Sequence, residues 1–330
     1  MGHSDNNISH PYERLTPDCI LDALESVGFM PTGSLLALNS YENRVYQVSL
    51  ENGSFVIAKF YRPNRWSDAA ILEEHDFSDE LKQQEIPIVT PLDINGKTLF
   101  EFKGFRFAVF PRQGGRTPEL EQPDTLKQLG RFLGRIHSVG STRPFDNRPK
   151  ITVQNFGYDS LNFLLDNDFI APEVSTNYQQ SAQDALQLVT DRYEAILPRN
   201  IRLHGDCHPG NLLWRDDAPH FVDLDDCRMG PAIQDLWMLL SGSPDEMSSQ
   251  LRNILEGYET FFEFDPSELA LIEAMRTLRI LHYSAWLARR WDDPAFPQHF
   301  PWFNSPRYWE DQMLTLRDQV ERLQAPTIKI

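Results

Sequence analysis

Hydrophobic and polar positions alternate along much of the first third of the chain, which predicts a β-rich region. Three strands are predicted in its first half: Gly33–Asn39, Arg44–Leu50 and Phe55–Tyr61. The Asn52-Gly53 pair between the second and third is a strong hairpin signal. Two or three more strands are predicted in the stretches that follow: Ile86–Leu92 and Lys97–Phe110. The pattern therefore predicts a small antiparallel sheet.

A helical period of apolar residues replaces this alternation in Ser67–Gln84, with Ser67 as the N-cap, and again in most of the remaining chain. A second helix follows Asp124, its predicted N-cap, with Leu126, Leu129 and Leu133 at helical spacing. Later helices are predicted at Gln179–Ile196, Ala232–Leu240, Pro244–Phe262, Pro266–Trp291 and Tyr308–Leu323. The fold class is therefore α+β, with a small β-sheet lobe and a larger, mainly helical lobe.

The composition changes near Phe110, which predicts a boundary between these two lobes. The charged stretch Arg112–Glu119 contains glycine and proline and is typical of a connection. We therefore predict a β-rich lobe at residues 11–110 and a helical lobe at 111–330. Residues 1–10 are polar and are predicted to form a disordered tail.

Composition narrows the class of protein. Apolar residues make up 41% of the 330 residues, enough for a sizeable core, yet no apolar run is long enough to span a membrane. Three cysteines are too few for a disulfide framework and fit a reducing, cytoplasmic compartment. The formal net charge of −17 disfavours nucleic acid as a partner and mildly favours cationic ligands or acids around a metal.

Candidate catalytic and metal-binding residues are most concentrated in residues 202–226, "RLHGDCHPGNLLWRDDAPHFVDLDD". Gly205, Pro209 and Gly210 exclude a regular helix, so the residues around Asp206 form a shaped loop. Such a loop can aim one carboxylate at a substrate while a neighbouring side chain meets a metal.

A predicted hairpin follows, formed by residues 212–214 and 220–222, and it brings Asp223 back beside Asn211. An amide oxygen and a carboxylate are hard ligands that suit Mg²⁺. Asp206 stands outside this pair and is available to accept a proton. Metal, base and phosphate together indicate phosphoryl transfer.

These motifs resemble those of known kinases. "HGDCHPGN" resembles the catalytic loop H-R-D-x-x-x-x-N of protein kinases and, more closely, the HGD-x-x-x-x-N of aminoglycoside and choline kinases. "VDLDD" resembles the segment that replaces D-F-G in those enzymes. Together with "LNSYENRVYQV", "VIAKFYRPNRW", "QDLWMLL" and "WDDPAFPQHFPW", they make nearly the whole chain similar to the bacterial stress response kinase A family.

The resemblance implies a two-lobed, protein-kinase-like fold and a cytoplasmic serine/threonine protein kinase that depends on ATP and Mg²⁺. It implies that the nucleotide lies between the lobes, with its adenine at Val109–Gly114. Asp206 and Asp223 would be the catalytic carboxylates, and Asn211 and Asp223 the metal ligands. Asp235 would anchor the catalytic loop.

The first third supplies the predicted nucleotide-binding residues. Lys59, on the third strand, stands where a kinase holds the phosphates with a lysine paired to a helical glutamate. Glu73 and Glu74 both remain candidates for that partner. The loop of residues 38–45 has no glycine, and an asparagine in it could take a left-handed conformation. The resemblance implies that Ser40 in this loop contacts ATP.

Other functions remain open on the sequence. The expected partner is a protein with a serine or threonine acceptor, including the chain itself by autophosphorylation, and we expect a monomer without nucleic acid or membrane partners. A small-molecule kinase for a choline-like or aminoglycoside-like cationic alcohol would share every motif. A nucleotide-binding regulator without chemistry, and a metal-dependent hydrolase that uses His204 and His208, are weaker alternatives.

Overall fold

The computed structural model describes residues 10–330. These residues form ten α-helices: α1 Pro17–Ser26, α2 Asp68–Gln83, α3 Pro123–Gly140, α4 Asp159–Asp166, α5 Pro172–Ile196, α6 Ile233–Trp237, α7 Pro244–Tyr258, α8 Ile272–Ala288, α9 Ala295–His299 and α10 Pro306–Gln324. A π-helical turn covers Gln154–Tyr158, and 3-10 turns cover Pro209–Asn211, Leu224–Asp226 and Pro266–Leu271. The predicted disordered tail lies outside the described residues, apart from His10.

The described residues also form nine strands: β1 Pro31–Ala37, β2 Arg44–Leu50, β3 Phe55–Phe60, β4 Phe100–Phe102, β5 Phe105–Pro111, β6 Ile201–Leu203, β7 Leu212–Arg215, β8 Ala218–Phe221 and β9 Arg228–Gly230. The strand predictions for β1, β2, β3, β4 and β5 are confirmed, as is the β7–β8 hairpin. The strand predicted at Ile86–Leu92 is wrong, because only Ile88 makes an isolated bridge there, to Phe221.

The predicted helices are confirmed with shifted ends, and helices α1, α4 and α9 were not predicted. The hydroxyl of Ser67 accepts a hydrogen bond from the Ala70 N–H at 3.1 Å, as expected of an N-cap. Asp124 is not the cap of α3, because that helix begins one residue earlier, with Pro123 in its first turn. Proline suits this position because its missing N–H would have had no partner inside the helix.

The chain forms two compact units, and the first is built on one antiparallel sheet. Within the described residues, this unit comprises residues 10–76, Val89–Gln113 and Arg290–Phe300. Its strands lie in the order β1-β2-β3-β5-β4. Inward-facing residues such as Val48, Ala58 and Phe107 pack with apolar residues of α1 in a shared core. In β2 the alternate residues Val48 and Leu50 are buried, in line with the alternation in the sequence.

The second unit comprises Phe77–Ile88, Gly114–Arg289 and Pro301–Ile330, and most of it is helical. Helices α3 and α7 approach closely because α3 presents Gly130 and Gly134 to α7. A side chain at either position would collide with the carbonyl oxygen of Ile254 or Tyr258. Two short sheets, β6–β9 and β7–β8, carry the acid-rich stretch in this unit. None of the helices in residues 10–330 is long and apolar enough to cross a membrane.

Candidate active site

The catalytic-loop candidate, residues 204–211, is held by one buried carboxylate. Asp235 on α6 is fully buried and accepts hydrogen bonds from the backbone N–H groups of His204 and Gly205, each at 2.9 Å. The same carboxylate lies 3.1 Å from the Nε2 of His137 on α3. Hydrogen bonds to a carboxylate are stronger than neutral ones, so the start of the loop is fixed to two helices.

Gly205 cannot be replaced without moving this loop. Its φ of +85° lies in the left-handed region, which side chains disfavour. A β-carbon at this position would also collide with the carbonyl oxygen of Asp226. The glycine of the "HGD" motif is therefore a requirement of the backbone path.

Asp206 follows on the same loop, and its carboxylate contacts the side chains of Arg279 and His208. Its Oδ1 accepts a hydrogen bond from the Nη1 of Arg279 at 2.6 Å, and its Oδ2 lies 3.5 Å from the Nε2 of His208. The Gly210 N–H donates to the Nδ1 of His208 at 3.0 Å, which leaves the proton of that ring on Nε2, facing Asp206. The side chain of Asp206 remains 24% exposed, so a substrate can reach it.

These partners decide the protonation state of Asp206. Burial acts to raise the pKa of Asp206, but the hydrogen bond from His208 and the positive charge of Arg279 outweigh it. The pKa of Asp206 therefore lies below its ordinary value. The group is a carboxylate at neutral pH, which is the state that a proton acceptor needs.

Asn211 and Asp223 come together through the backbone. The Val222 N–H donates to the carbonyl oxygen of Asn211 at 3.1 Å, at the open end of the β7–β8 hairpin. The Nδ2 of Asn211 donates to the carbonyl oxygen of Asp206 at 2.9 Å, so its Oδ1 is the end of the amide that can meet a cation. Asp223 has a φ of +61°, a left-handed conformation that turns the chain sharply after β8. One amide oxygen and one carboxylate fit a Mg²⁺ ion that keeps water and phosphate ligands.

Lys59 lies on β3 and meets a glutamate of α2. Its Nζ lies 3.4 Å from the Oε1 of Glu74, and both side chains are buried. The structure brings Glu74, one of the two candidates that the sequence left open, to Lys59, and Glu73 is partly buried on the same helix. Burying a lysine and a glutamate is costly unless they are paired, so this pair specifies the position of the amine.

The glycine-free loop between β1 and β2, residues 38–43, carries Ser40. No residue of this loop has a positive φ, so its asparagines do not adopt the left-handed conformation that they could tolerate. Ser40 itself is partly buried. The predicted adenine segment, Val109–Gly114, begins inside β5, where the carbonyl oxygen of Val109 accepts a hydrogen bond from the Leu92 N–H at 2.7 Å.

The two histidines of the loop contact other residues of the active-site region. The Nε2 of His204 lies 3.0 Å from the carbonyl oxygen of Val222, and His208 contacts Gly210 and Asp206. Among residues 10–330, no group of three or more His, Cys, Asp or Glu side chains is arranged to hold a metal ion.

Sequence reasoning missed Arg279. It lies on α8, far from the acid-rich stretch in the sequence, and nothing in its local pattern distinguishes it from other helical arginines. Its contact with Asp206 depends on how α8 packs inside the second unit. Local spacing carries no signal for such a pair.

Comparison with known proteins defines the class to which this fold and site belong. Residues 34–272 match the model of the phosphotransferase enzyme family. The chain is 44% identical to stress response kinase A of Escherichia coli K12 and to serine/threonine protein kinase RdoA of Salmonella typhimurium LT2. Both alignments cover 98% of this chain and 98% of the relative. The chain therefore belongs to the phosphotransferase enzyme family and, within it, to the stress response kinase A family.

Solved structures show the same fold at lower identity. Amicoumacin kinase hAmiN, in complex with AMP-PNP, Ca²⁺ and Ami, aligns with a TM-score of 0.70 at 20% identity, over 92% of each chain. A microcompartment-associated aminopropanol kinase aligns with a TM-score of 0.66 at 17% identity, over 92% of this chain and 96% of its own. The α+β, kinase-like fold predicted from the sequence is thereby confirmed.

Proposed function

We propose that this protein is an ATP- and Mg²⁺-dependent serine/threonine protein kinase of a bacterial stress response, acting in the cytoplasm as a monomer. The observation that carries the proposal is Asp206, an ionised carboxylate on a loop fixed by Asp235, with Asn211 bonded to its backbone. The names of the relatives at 44% identity support a protein acceptor.

Asp206 receives the proton of the acceptor hydroxyl in the proposed reaction. The acceptor oxygen forms a bond to the γ-phosphorus of ATP while the bond to the β,γ-bridging oxygen breaks, which yields a phosphoester and ADP. The hydroxyl proton passes to the carboxylate of Asp206 and then to solvent. The pairing of Asp206 with Arg279 keeps that carboxylate oriented as well as ionised.

Asn211 and Asp223 would hold Mg²⁺ through their side-chain oxygens. The hydrogen bond from the Asn211 amide nitrogen to Asp206 orients the amide oxygen for this role. When bound, Mg²⁺ neutralises charge on the β- and γ-phosphates. Asp223 is thus both a catalytic carboxylate and a metal ligand in this proposal.

Lys59 and Ser40 would hold the phosphates of ATP from the sheet unit. Glu74 keeps the Lys59 amine in place, because an unpaired buried ammonium would seek solvent. Ser40 would donate its hydroxyl to a phosphate oxygen. The adenine would bind backbone groups of Val109–Gly114.

A kinase for cationic alcohols is the alternative, and the pairing of Asp206 with Arg279 argues against it. The net charge of −17 attracts cations in general, but exposed charges are screened beyond a Debye length of about 8–10 Å. Arg279 lies 2.6 Å from the carboxylate that an acceptor hydroxyl must reach. A cationic alcohol would therefore find the attraction of Asp206 already offset by a fixed positive charge.

Incubation of the purified protein with labelled ATP and Mg²⁺ tests the proposal. Parallel reactions contain a generic protein acceptor, choline or an aminoglycoside, with Asp206→Asn as the inactive control. We expect label on the protein acceptor or on the chain itself. Label found only in a small-molecule product would instead establish the alternative.

The role of Arg279 in acceptor choice has its own test. At about 8 Å, loss of its charge should raise phosphorylation of choline relative to protein by roughly 3- to 30-fold, for effective dielectric constants of about 80 to 20. Arg276→Ala is the matched control, since Arg276 lies on the same helix but pairs with Glu273 at 2.7 Å. An unchanged ratio in Arg279→Ala would show that this arginine does not select the acceptor.

A further inference from the structure

The segment Arg290–Phe300 belongs to the sheet unit, although helical chain separates it from the strands. Its sequence, "RWDDPAFPQHF", overlaps the motif "WDDPAFPQHFPW" on which the resemblance partly rests, and the proposed reaction does not use it. The segment contains the short helix α9, and Phe296 is fully buried within it. We call residues 290–300 the strap.

Asp293 is the main polar contact of the strap with the sheet. Its two carboxylate oxygens lie 3.1 and 3.0 Å from the Nη2 of Arg44, and Oδ2 lies 2.7 Å from the Nη2 of Arg62. The Ala295 N–H also donates to Oδ1 at 3.1 Å. Asp293 is only 2% exposed. Its buried carboxylate therefore joins Arg44, at the start of β2, to Arg62, which follows the end of β3.

The two arginines in turn hold the β1–β2 loop. The Nε of Arg62 donates to the carbonyl oxygen of Glu42, and its backbone N–H donates to the Oδ1 of Asn43, both at 3.1 Å. The Nη1 of Arg44 donates to the carbonyl oxygen of Tyr41, also at 3.1 Å. Three successive loop residues are therefore tied to the arginines that Asp293 pairs.

Further contacts join the strap to the loop directly. The ring of Tyr41 packs edge-on against His299 and Phe300, with centroids 5.0 and 4.9 Å apart. The Nη2 of Arg290 lies 2.6 Å from the Oε2 of Glu42. The strap thus contacts the loop from one side through aromatic rings and through an ion pair.

We propose that Asp293 is a positioning residue for nucleotide binding, which holds the β1–β2 loop in its phosphate-binding form through Arg44 and Arg62. The inference rests on the proposed function in one respect, namely that this loop contacts ATP. A loop without glycine and without left-handed residues has few alternative backbone paths, and external ties select one of them. Arg44 and Arg62 place positive charges at the base of the loop, and the buried carboxylate of Asp293 offsets them together with the Glu42 carboxylate, which lies 3.1 Å from the Nε of Arg62.

Direct binding of a non-hydrolysable ATP analogue to the full-length protein tests the inference, measured by calorimetry together with KM, kcat and the thermal midpoint. If loss of the tie leaves about a tenth of the loop in its binding form, the Kd and the KM for ATP rise about tenfold while kcat changes little. We expect this result for Asp293→Asn. Asp292→Asn is the matched control, because the carboxylate of Asp292 is exposed. This variant should bind the ATP analogue with wild-type affinity.

Arg44→Gln is the milder second variant, because its side chain is 17% exposed and Asp293 keeps Arg62 as a partner. It should raise the Kd for the analogue with a small change in thermal midpoint. If Asp293 acts partly through Arg44, the Kd of the double variant Arg44→Gln/Asp293→Asn should rise by less than the product of the two single increases. Wild-type affinity in Arg44→Gln and in folded Asp293→Asn would overturn the inference. Absence of nucleotide binding by the wild-type protein would instead reject the proposed function.

Discussion

Two loops of the molecule are each tied to a carboxylate from elsewhere in the chain, but by different chemistry. Asp235 accepts hydrogen bonds from backbone N–H groups of His204 and Gly205 in the loop of residues 204–211. Asp293 reaches the β1–β2 loop only through the side chains of two arginines. Asp235 therefore holds the backbone of its loop directly, whereas Asp293 holds the β1–β2 loop through flexible side chains.

The difference explains why one loop has a recognisable sequence and the other does not. A backbone held close to the Asp226 carbonyl oxygen at positive φ accepts only glycine at position 205. A backbone held through its carbonyl oxygens and through arginine side chains makes no such demand on loop residues. The glycine-free loop is therefore compatible with a kinase-like site when the arginines and the strap are present.

The largest effect is expected where the backbone-fixed loop presents its reactive group. Asp206→Asn should lower phosphotransfer by about 10²- to 10⁴-fold, the usual contribution of a positioned base. Nucleotide affinity should stay near wild type, because the proposed phosphate contacts lie in the β1–β2 loop and at Lys59. Rates with labelled ATP and calorimetry with an analogue measure the two properties separately.

Asp216→Asn is the control for that variant, since the side chain of Asp216 is 86% exposed in the turn of the hairpin. It should transfer phosphate at the wild-type rate. A residual rate above about a tenth of wild type in Asp206→Asn lies well outside the range for a base, and would assign Asp206 another role.

The next prediction separates a role in binding Mg²⁺ from a role in binding the nucleotide itself. Asp223→Ala should weaken binding of ATP by roughly 10- to 100-fold in the presence of Mg²⁺ and far less in its absence, because a carboxylate ligand to the cation is lost. Titrations of the same analogue with Mg²⁺ and with excess chelator measure the difference. An equal loss of affinity under both conditions would show that Asp223 is not a ligand of the metal.

Sequence reasoning predicted the parts of this protein that depend on local pattern. The alternation of β2, the hairpin β7–β8 and the helix after Ser67 all follow from neighbouring residues. The order of Lys59 and the "HGD" motif along the chain also identified the class of enzyme, which the family match confirms.

The unpredicted features depend on packing between distant segments. The contact of Glu74 with Lys59 depends on how α2 packs against β3, since adjacent residues on a helix point in different directions. Arg279 reaches Asp206, and Asp293 reaches Arg44, across long stretches of chain. The Ile86–Leu92 stretch is apolar enough for a strand, yet it lacks a neighbouring strand to pair with along its length.

Ser40 tests how the side-chain-fixed loop meets phosphate. A hydrogen bond to a charged group contributes about 1.5–3 kcal/mol, so Ser40→Ala should raise the Kd for ATP by roughly 10- to 150-fold. The thermal midpoint without nucleotide should hardly change. Ser40→Gly restores the residue typical of other kinases but also lacks the hydroxyl. If the glycine variant binds like wild type and the alanine variant does not, backbone geometry and not the hydroxyl holds the phosphate.

The smallest effect on activity is expected at Glu268, which supports the helix that carries Asp235. Its Oε2 accepts a hydrogen bond from the N–H of Ile233, the first residue of α6, at 2.8 Å. Burial raises the pKa of Glu268 to about 7, although the hydrogen bond from Ile233 acts in the opposite direction. The folded protein therefore binds this proton more tightly than the unfolded chain, in which the glutamate has its ordinary pKa of 4.5.

Stability contributed by this proton is complete below about pH 4.5 and is lost as the pH rises towards about 7. Glu268→Gln cannot ionise, so its free energy of unfolding relative to wild type should increase with pH across that window, by about 1–3 kcal/mol in total. Thermal or urea unfolding of both proteins between about pH 5 and pH 8 measures this difference, and comparing them cancels the other titrating groups. The rate of phosphotransfer at neutral pH should stay close to wild type, because the glutamine oxygen can still accept the hydrogen bond from Ile233. A difference in stability that does not vary with pH would mean that Glu268 is already ionised in the folded protein at about pH 5. The hydrogen bond between Glu268 and the first residue of α6 would then rest on a buried charge.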